Sequence, residues 1–248
     1  MAEDKGPQIV LYDLARRHDI KESWSFNVWK IRLILNYKSI PYHTEWVDHQ
    51  TIAPTFQRLG ITPNTSGGSA YTVPTIRLPD GTFIRDSAVI AERLERMYPE
   101  NRLIFDPVTQ AAAEQAITAI ATALSPIFIT RIAKDVLTES SVSSWRAARE
   151  STFGMTLEEL EATRGGKKAW KAADEPGIRL LHEVLTGYKR SEGHFIMGRN
   201  VSYGDLIIVA FVESLERIGE DLGYELESKD SAILALTDSC QDWVERKD

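Results

Sequence analysis

Val73-Pro74-Thr75-Ile76-Arg77-Leu78-Pro79-Asp80-Gly81-Thr82-Phe83-Ile84-Arg85-Asp86-Ser87 reads as two short β-branched strands around a turn, followed by the start of a helix. Leu78-Pro79-Asp80-Gly81 is turn chemistry: Pro presets its own φ, and Gly supplies a backbone conformation that side chains resist. The two flanks therefore form a hairpin. Asp86-Ser87 then precede Ile90, Leu94 and Met97, an apolar i, i+4, i+7 series that Pro99 brings to an end.

Outward from the hairpin, residues 8–12 read as a short buried strand and residues 15–22 as a loop. A helix follows from near Ser25, with Val28, Ile31 and Leu35 at helical spacing and with Lys30 and Asn36 available to face water. Pro41 ends it, and residues 44–47 form a second strand. The segment containing Pro54, Pro63 and Ser66-Gly67-Gly68-Ser69 reads as a short helix embedded in loop. Strand, helix, strand, short helix, hairpin, helix is the order of an α/β thioredoxin-like domain, expected over residues 1–98.

Past residue 106 the strand signals vanish, which predicts an all-α C-terminal domain over residues 106–248. An Ala-rich helical run from Thr109 towards Leu137 is expected to break at Pro126. Residues 138–174, charged and poor in apolar side chains, read as short helices and loop exposed to solvent. Ser202-Tyr203-Gly204-Asp205 has the form of a capping box, and residues 206–212 are apolar on every side of a helix, as in the centre of a domain.

The 248 residues carry a net charge of -7, are 43% hydrophobic and contain one cysteine, Cys240. No run of Lys and Arg is dense enough to neutralise a phosphate backbone, so nucleic acid is not an expected partner. One cysteine makes neither a disulfide framework nor a zinc site, and the five histidines stand outside the usual ligand spacings; no metal is expected. Residues 1–7 lack the apolar core of a secretory signal, and the longest apolar run, residues 206–212, falls far short of the ~20 residues of a bilayer span. The expectation is a cytoplasmic protein with no membrane partner.

In a thioredoxin-like domain the loop after the first strand delivers side chains to a helix N-terminus. Unpaired N–H groups and the helix dipole there favour an anion such as a thiolate. Ser23-Trp24-Ser25 occupies that place, without the Cys-x-x-Cys that dithiol exchange needs. A serine hydroxyl can donate to a thiolate that a ligand brings. Such a bond to charge contributes about 1.5–3 kcal/mol, and lowering a thiol pKa by about two units needs roughly 2.7 kcal/mol. Ser25 is the first catalytic candidate and Ser23 the second; a plain N-cap is the alternative role for Ser25. Pro74 at the start of a strand lacks the ladder N–H. A cis Val73–Pro74 bond, with the Val73 N–H and C=O free to pair with an extended peptide, is one reading; a trans Pro on an edge strand is the other. Asp86 and Ser87 offer a partner for an ammonium group and two donors for a carboxylate, or simply cap their helix. A thiol, a peptide backbone and an amino-acid end are the parts of glutathione.

On the Val73-Pro74 step, the Asp86-Ser87 pair and the capping box at 202–205, the sequence resembles the glutathione transferases over most of its length. Trp24-Ser25-Phe26-Asn27-Val28-Trp29-Lys30, with Asn36-Tyr37-Lys38 and Tyr42-x-x-Glu45-Trp46-Val47, is similar to the fungal etherase-related FuA class, akin to bacterial lignin β-etherases. There the residue after the active serine is commonly Pro; here it is Phe26. The resemblance implies the glutathione transferase fold and glutathione as co-substrate, bound through Val73, Pro74, Asp86, Ser87, Lys38 and His49. It implies conjugation, aryl-ether cleavage or peroxide reduction, and binding of hydrophobic aromatic compounds, for which Trp24 and Phe26, on a loop at a helix mouth where exposure is expected, and Phe128 are the candidate site. It also implies a homodimer, and leaves open a ligandin-type protein with little turnover or a non-catalytic interaction module. Taken by residue type, Lys38, Lys30 and Arg85 are surface charges, His49 is a loop residue, and Phe128, Phe153, Tyr188 and Phe195 serve a pocket or the core.

Overall fold

The computed structural model describes residues 8–65, 69–189 and 191–245. The expectations for residues 1–7 and for Ser66-Gly67-Gly68 lie outside these. β1, Ile9–Leu14, is buried at every position and runs two residues further than the strand read at residues 8–12. It is followed by α1, Phe26–Tyr37, then β2, Tyr42–Val47, and α2, Ile52–Arg58. The hairpin is β3, Thr75–Arg77, and β4, Phe83–Arg85, with Gly81 at a φ of 89° in its turn, and α3 spans Ser87–Met97. The sheet order is β2-β1-β3-β4. β1 pairs parallel with β2, from Ile9 opposite Tyr42 to Leu14 opposite Val47, and antiparallel with β3, Leu11 facing Ile76. This is a thioredoxin-like domain.

From Val28 to Asn36 α1 has no water-facing side, contrary to expectation. Lys30 and Asn36 are buried with the apolar residues, because α1 lies between the sheet and helices of the other domain. The Lys30 ammonium satisfies itself on the Asn27 side-chain oxygen at 3.0 Å and over the Phe26 ring at 4.1 Å. Asn36 donates to the carbonyl of Trp243 and accepts from the Tyr42 hydroxyl.

The C-terminal half is helical: α4 Pro107–Arg131, α5 Glu139–Phe153, α6 Leu157–Arg164, α7 Lys167–Ala173, α8 Arg179–Gly187, α9 Tyr203–Ile218, α10 Glu220–Ser228 and α11 Ser231–Glu245. α9 is buried from Tyr203 to Leu215, and its capping box forms as read. The Asp205 carboxylate accepts from the Ser202 N–H at 2.7 Å, and the Ser202 hydroxyl accepts from the Asp205 N–H at 3.3 Å. Two expectations are corrected. α4 does not break at Pro126, because the Thr122 carbonyl that loses its amide donor there accepts the Ser125 hydroxyl instead, at 2.8 Å. Residues 138–174 are not a solvated tract, since Ser141, Trp145, Leu157, Leu160 and Trp170 are buried. On length and composition the helical run Pro107–Val136 could cross a membrane, but half of its most apolar window is buried inside the protein.

The two domains meet at Asp48, just after β2. Its carboxylate accepts the hydroxyls of Thr138, Ser140 (3.2 Å) and Ser141 (2.5 Å) at the N-terminus of α5, and the Gln50 N–H at 2.9 Å. Burial opposes ionisation of Asp48, yet the donors of Ser141, Thr138 and Gln50 outweigh it and hold the carboxyl below its ordinary value. A depressed carboxylate contributes stability above its unfolded pKa and loses it as pH falls through the folded one. Asp48→Ala should therefore lower stability by about 1–3 kcal/mol at pH 7. Urea midpoints of the two proteins should begin to converge as pH falls past about 4 and meet once it is below the folded value; a difference that does not narrow as pH falls would mean the carboxylate charge is not what holds α5.

Candidate functional site

Ser25 ends the extended segment before α1, and its carbonyl accepts the first helical bond, from the Trp29 N–H at 2.9 Å. Its side chain caps nothing. The plain N-cap role is therefore not taken up. The Ser25 hydroxyl and the first N–H groups of α1 are therefore not spent on each other, at a helix end where the dipole adds a partial positive charge.

Two cavities meet at Ser25. The first, about 430 Å³, is lined by Ser25, Val73, His49 and Gln50 from the thioredoxin-like domain and by Trp145 and Arg149 from α5. The Val73–Pro74 peptide is cis, the first of the two readings of that step, and neither the N–H nor the C=O of Val73 is hydrogen-bonded among the described residues. The second cavity, about 210 Å³, is apolar, walled by Phe26, Phe128, Phe211 and Leu215. Trp24, Ser25 and Asn27 belong to both.

Beyond Val73 the polar cavity adjoins a third, of about 350 Å³, through Thr72. Asp86 and Arg85 line it. Asp86 has a φ of 71° and caps α3, accepting from the N–H groups of Ala88 at 2.9 Å and Val89 at 3.3 Å. Capping does not exhaust its lone pairs. The Ser87 side chain lies against the Tyr203 hydroxyl, whose ionisation burial opposes. Arg85 is held by Asn64 at 2.9 Å and by the Thr62 carbonyl, so it is not a free surface charge.

Other expected residues fall elsewhere or change character. Ser23 is buried and faces the Asp13 carboxylate below the sheet, without closing a hydrogen bond of ordinary geometry; neither of the two cavities at Ser25 includes it. Lys38 is corrected. It lies at the far end of α1, about 20 Å along the helix from Ser25, and its ammonium is consumed by the carbonyls of Tyr98, Glu100 and Asn101 at 2.9–3.1 Å and by Glu95 at 2.5 Å. Of the four aromatic candidates in the helical domain, Phe128 lines a cavity at Ser25 and the other three line neither of the two; Phe195 stacks on Trp243, and Tyr188 is 38% exposed. Trp24, expected on an open loop, is 4% exposed, its ring edge-on to Trp145 at 6.3 Å and its Nε1 without a partner. His49 does reach the cleft, edge-on to Trp145 at 5.4 Å. Burial and then the Arg149 charge push its pKa down, so its imidazole is neutral at pH 7.

The sequence reading missed Trp145, Arg149, Tyr71, Asn27 and Phe211. Trp145 was visible as an apolar residue in a charged stretch, and Phe211 as part of the apolar run of α9. Nothing in the sequence pointed to Arg149.

The loop that carries Ser25 is tied to α9. The Ser214 hydroxyl donates to the Trp24 carbonyl at 3.0 Å, and Phe211 stands edge-on to Phe26 at 5.5 Å. Arg217, one turn on, bonds Glu213 at 3.2 Å and reaches Glu22 in the loop at 3.4 Å.

Fold and clefts define a two-domain protein in which a thioredoxin-like half presents a free serine to a cavity completed by helices. Residues 24–97 match the glutathione S-transferase N-terminal domain family, and residues 109–243 the glutathione S-transferase C-terminal domain family. The chain is 31% identical over 242 residues to the Glutathione S-transferase-like protein ustS of Aspergillus flavus, covering 90% of this chain and 86% of that protein. The structure is similar to a glutathione S-transferase of Ceriporiopsis subvermispora solved in complex with glutathione (TM-score 0.84, 30% identity, 97% and 99% of the two chains covered). It is also similar to glutathione transferase GSTFuA2 of Phanerochaete chrysosporium (TM-score 0.83, 28% identity, 97% and 99% covered). The chain belongs to the glutathione S-transferase family.

Burial pushes the Glu213 carboxyl up to about 7, against the attraction of Arg217. A raised carboxyl favours folding in its protonated form, a benefit fully present below the unfolded value of about 4.3 and lost as pH rises through the folded one. Urea midpoints from pH 5 to 8.5 should fall for the wild type relative to Glu213→Gln, then level off. Parallel curves would show that Glu213 titrates as an ordinary carboxyl.

Proposed function

We propose that the protein is a glutathione transferase in which the Ser25 hydroxyl stabilises the thiolate of bound glutathione for attack on a hydrophobic aromatic electrophile. The observation that carries this reading is the place of Ser25. It stands on the wall common to a polar cleft and an apolar one, with its hydroxyl uncommitted. In this arrangement the cysteinyl backbone pairs with Val73, and the γ-glutamyl end lies towards Asp86 and Ser87, in the adjoining cavity. The sulfur then sits at Ser25, at the N-terminus of α1, where hydroxyl and N–H donors favour the anion. The apolar cavity holds the electrophile against it, and Phe26, Phe128 and Phe211 supply aromatic faces and edges. The thiolate sulfur forms the new C–S bond as the leaving group departs with its electron pair. A carbon bearing a halide or an aryloxy leaving group meets the same requirement, which brings aryl ethers within the substrate class.

Ser25→Ala should keep the fold and most glutathione affinity while raising the bound thiol pKa. Turnover near neutral pH should fall about tenfold to a hundredfold and recover partly at higher pH, from the loss of one hydrogen bond to charge. The ultraviolet thiolate absorbance of bound glutathione against pH reads this directly. A curve unchanged in Ser25→Ala leaves the backbone N–H groups as activator, and one shifted only in Ser23→Ala transfers the role. Ser87→Ala should chiefly raise the KM for glutathione, because its proposed partner is remote from sulfur; a fall confined to kcat would contradict that placement. Tight calorimetric binding of aromatic compounds with no turnover on an aryl halide or a β-aryl ether would favour a binding protein over an enzyme.

A further inference from the structure

Arg149 is a half-buried cation without a counter-ion. Burial pulls its pKa down, and among the described residues its guanidinium makes no ion pair and no hydrogen bond. It stacks on the face of Trp145, 3.4 Å from the ring centroid. Stacking of this kind fixes the plane of the fork while leaving its N–H donors unused. Three further donors or potential donors around the same cavity are uncommitted. The Trp24 Nε1 and the His49 Nδ1 are buried without partners, and the Val73 N–H is unpaired. A positioned, unpaired guanidinium in a cleft matches a carboxylate, which it can bind through two parallel hydrogen bonds.

We propose that Arg149, presented by α5 of the helical domain, binds the glycyl carboxylate of glutathione. This rests on the glutathione reading above and adds the contact at the opposite end of the ligand. With the γ-glutamyl end in the cavity of Asp86 and the cysteinyl residue at Val73 and Ser25, an extended tripeptide runs on through the cavity that Arg149 lines. The helical domain thereby reads the peptide as well as walling the apolar cavity. A carboxylate on the second substrate offers Arg149 the same chemistry, and the experiment separates the two sources.

Calorimetry on the wild type, Arg149→Gln and Arg149→Lys would use glutathione and its monoethyl ester, esterified at the glycyl carboxyl. The wild type should bind glutathione about tenfold to a hundredfold more tightly than the ester. Arg149→Gln should bind both at the level of the ester, and Arg149→Lys should recover part of the difference, since it keeps the charge and loses the fork. Because the ester changes the ligand alone, the wild-type comparison stands even if a variant folds poorly. Equal wild-type affinities would overturn the assignment while leaving the glutathione site in place. Discrimination that survives in Arg149→Gln would also overturn it. So would an Arg149→Gln effect confined to the KM of a carboxylated aryl halide, with a neutral aryl halide unaffected, which would move the carboxylate to the second substrate. A wild type that binds neither ligand would overturn the glutathione reading itself.

Discussion

The carboxylate of Asp48 at the head of α5 sets the geometry on which the cleft depends. α5 contributes one stripe to the site, and Ser141, Trp145 and Arg149 follow one another at i, i+4 and i+8 along it. A bond at Ser141 therefore fixes where Trp145 and Arg149 fall, one and two turns further on. Asp48 precedes His49 and Gln50, which line the same cavity from the other domain. One anionic group thus registers both walls. It is also suited to the place, since a carboxylate at a helix N-terminus meets the positive end of the macrodipole as well as the hydroxyls.

Further contacts cross the seam away from Asp48. Arg17 donates to the carbonyls of Lys134 and Leu137, just past α4, where a cation satisfies acceptors that the helix leaves open. Ser214 in α9 holds the Trp24 carbonyl, and Phe211 packs on Phe26, so the residues on either side of Ser25 are anchored to the helical domain. Ser25 itself is left out of these contacts. A catalytic hydroxyl must be free to bond its ligand while its backbone cannot drift, and this division of contacts satisfies both requirements.

The parts of the fold legible in the sequence are those whose signal is local. The turn at residues 78–81, the α3 start at Asp86 and the capping box at 202–205 each depend on a residue type acting on its neighbours within four positions, and each is where it was read. Lys38 was misplaced because its chemistry is non-local. A lysine facing water and a lysine closing three carbonyls some sixty residues away have the same sequence context. α5 was misjudged for a related reason. It buries Ser141 and Trp145 along one stripe and leaves much of the rest to solvent, so its composition is that of a solvated segment even though it walls the cleft. Arg149 carried no signal, because an unpaired cation is recognised only when the absence of its partners can be seen.

The two helix starts of the thioredoxin-like domain show how a local rule is broken at the proposed centre of the chemistry. At α3, Asp86 accepts two helical N–H groups, the ordinary arrangement, even at the cost of a positive φ. At α1, Ser25 is an equally good capping residue by type and accepts none. Forgoing a cap costs about 0.5–2 kcal/mol. α1 can bear that because it is buried from Val28 to Asn36 between the sheet, α3, α9 and α11, and burial stabilises a helix far more than one terminal bond. The donors at its N-terminus are then left for a ligand. Had Ser25 capped α1, its hydroxyl oxygen would have accepted a helical N–H otherwise left for the ligand, and the helix rather than the thiolate would have set where that hydroxyl sits. A site that binds an anion at a helix start therefore needs the helix to be held by something other than its cap, and the packing of α1 between two domains meets that need.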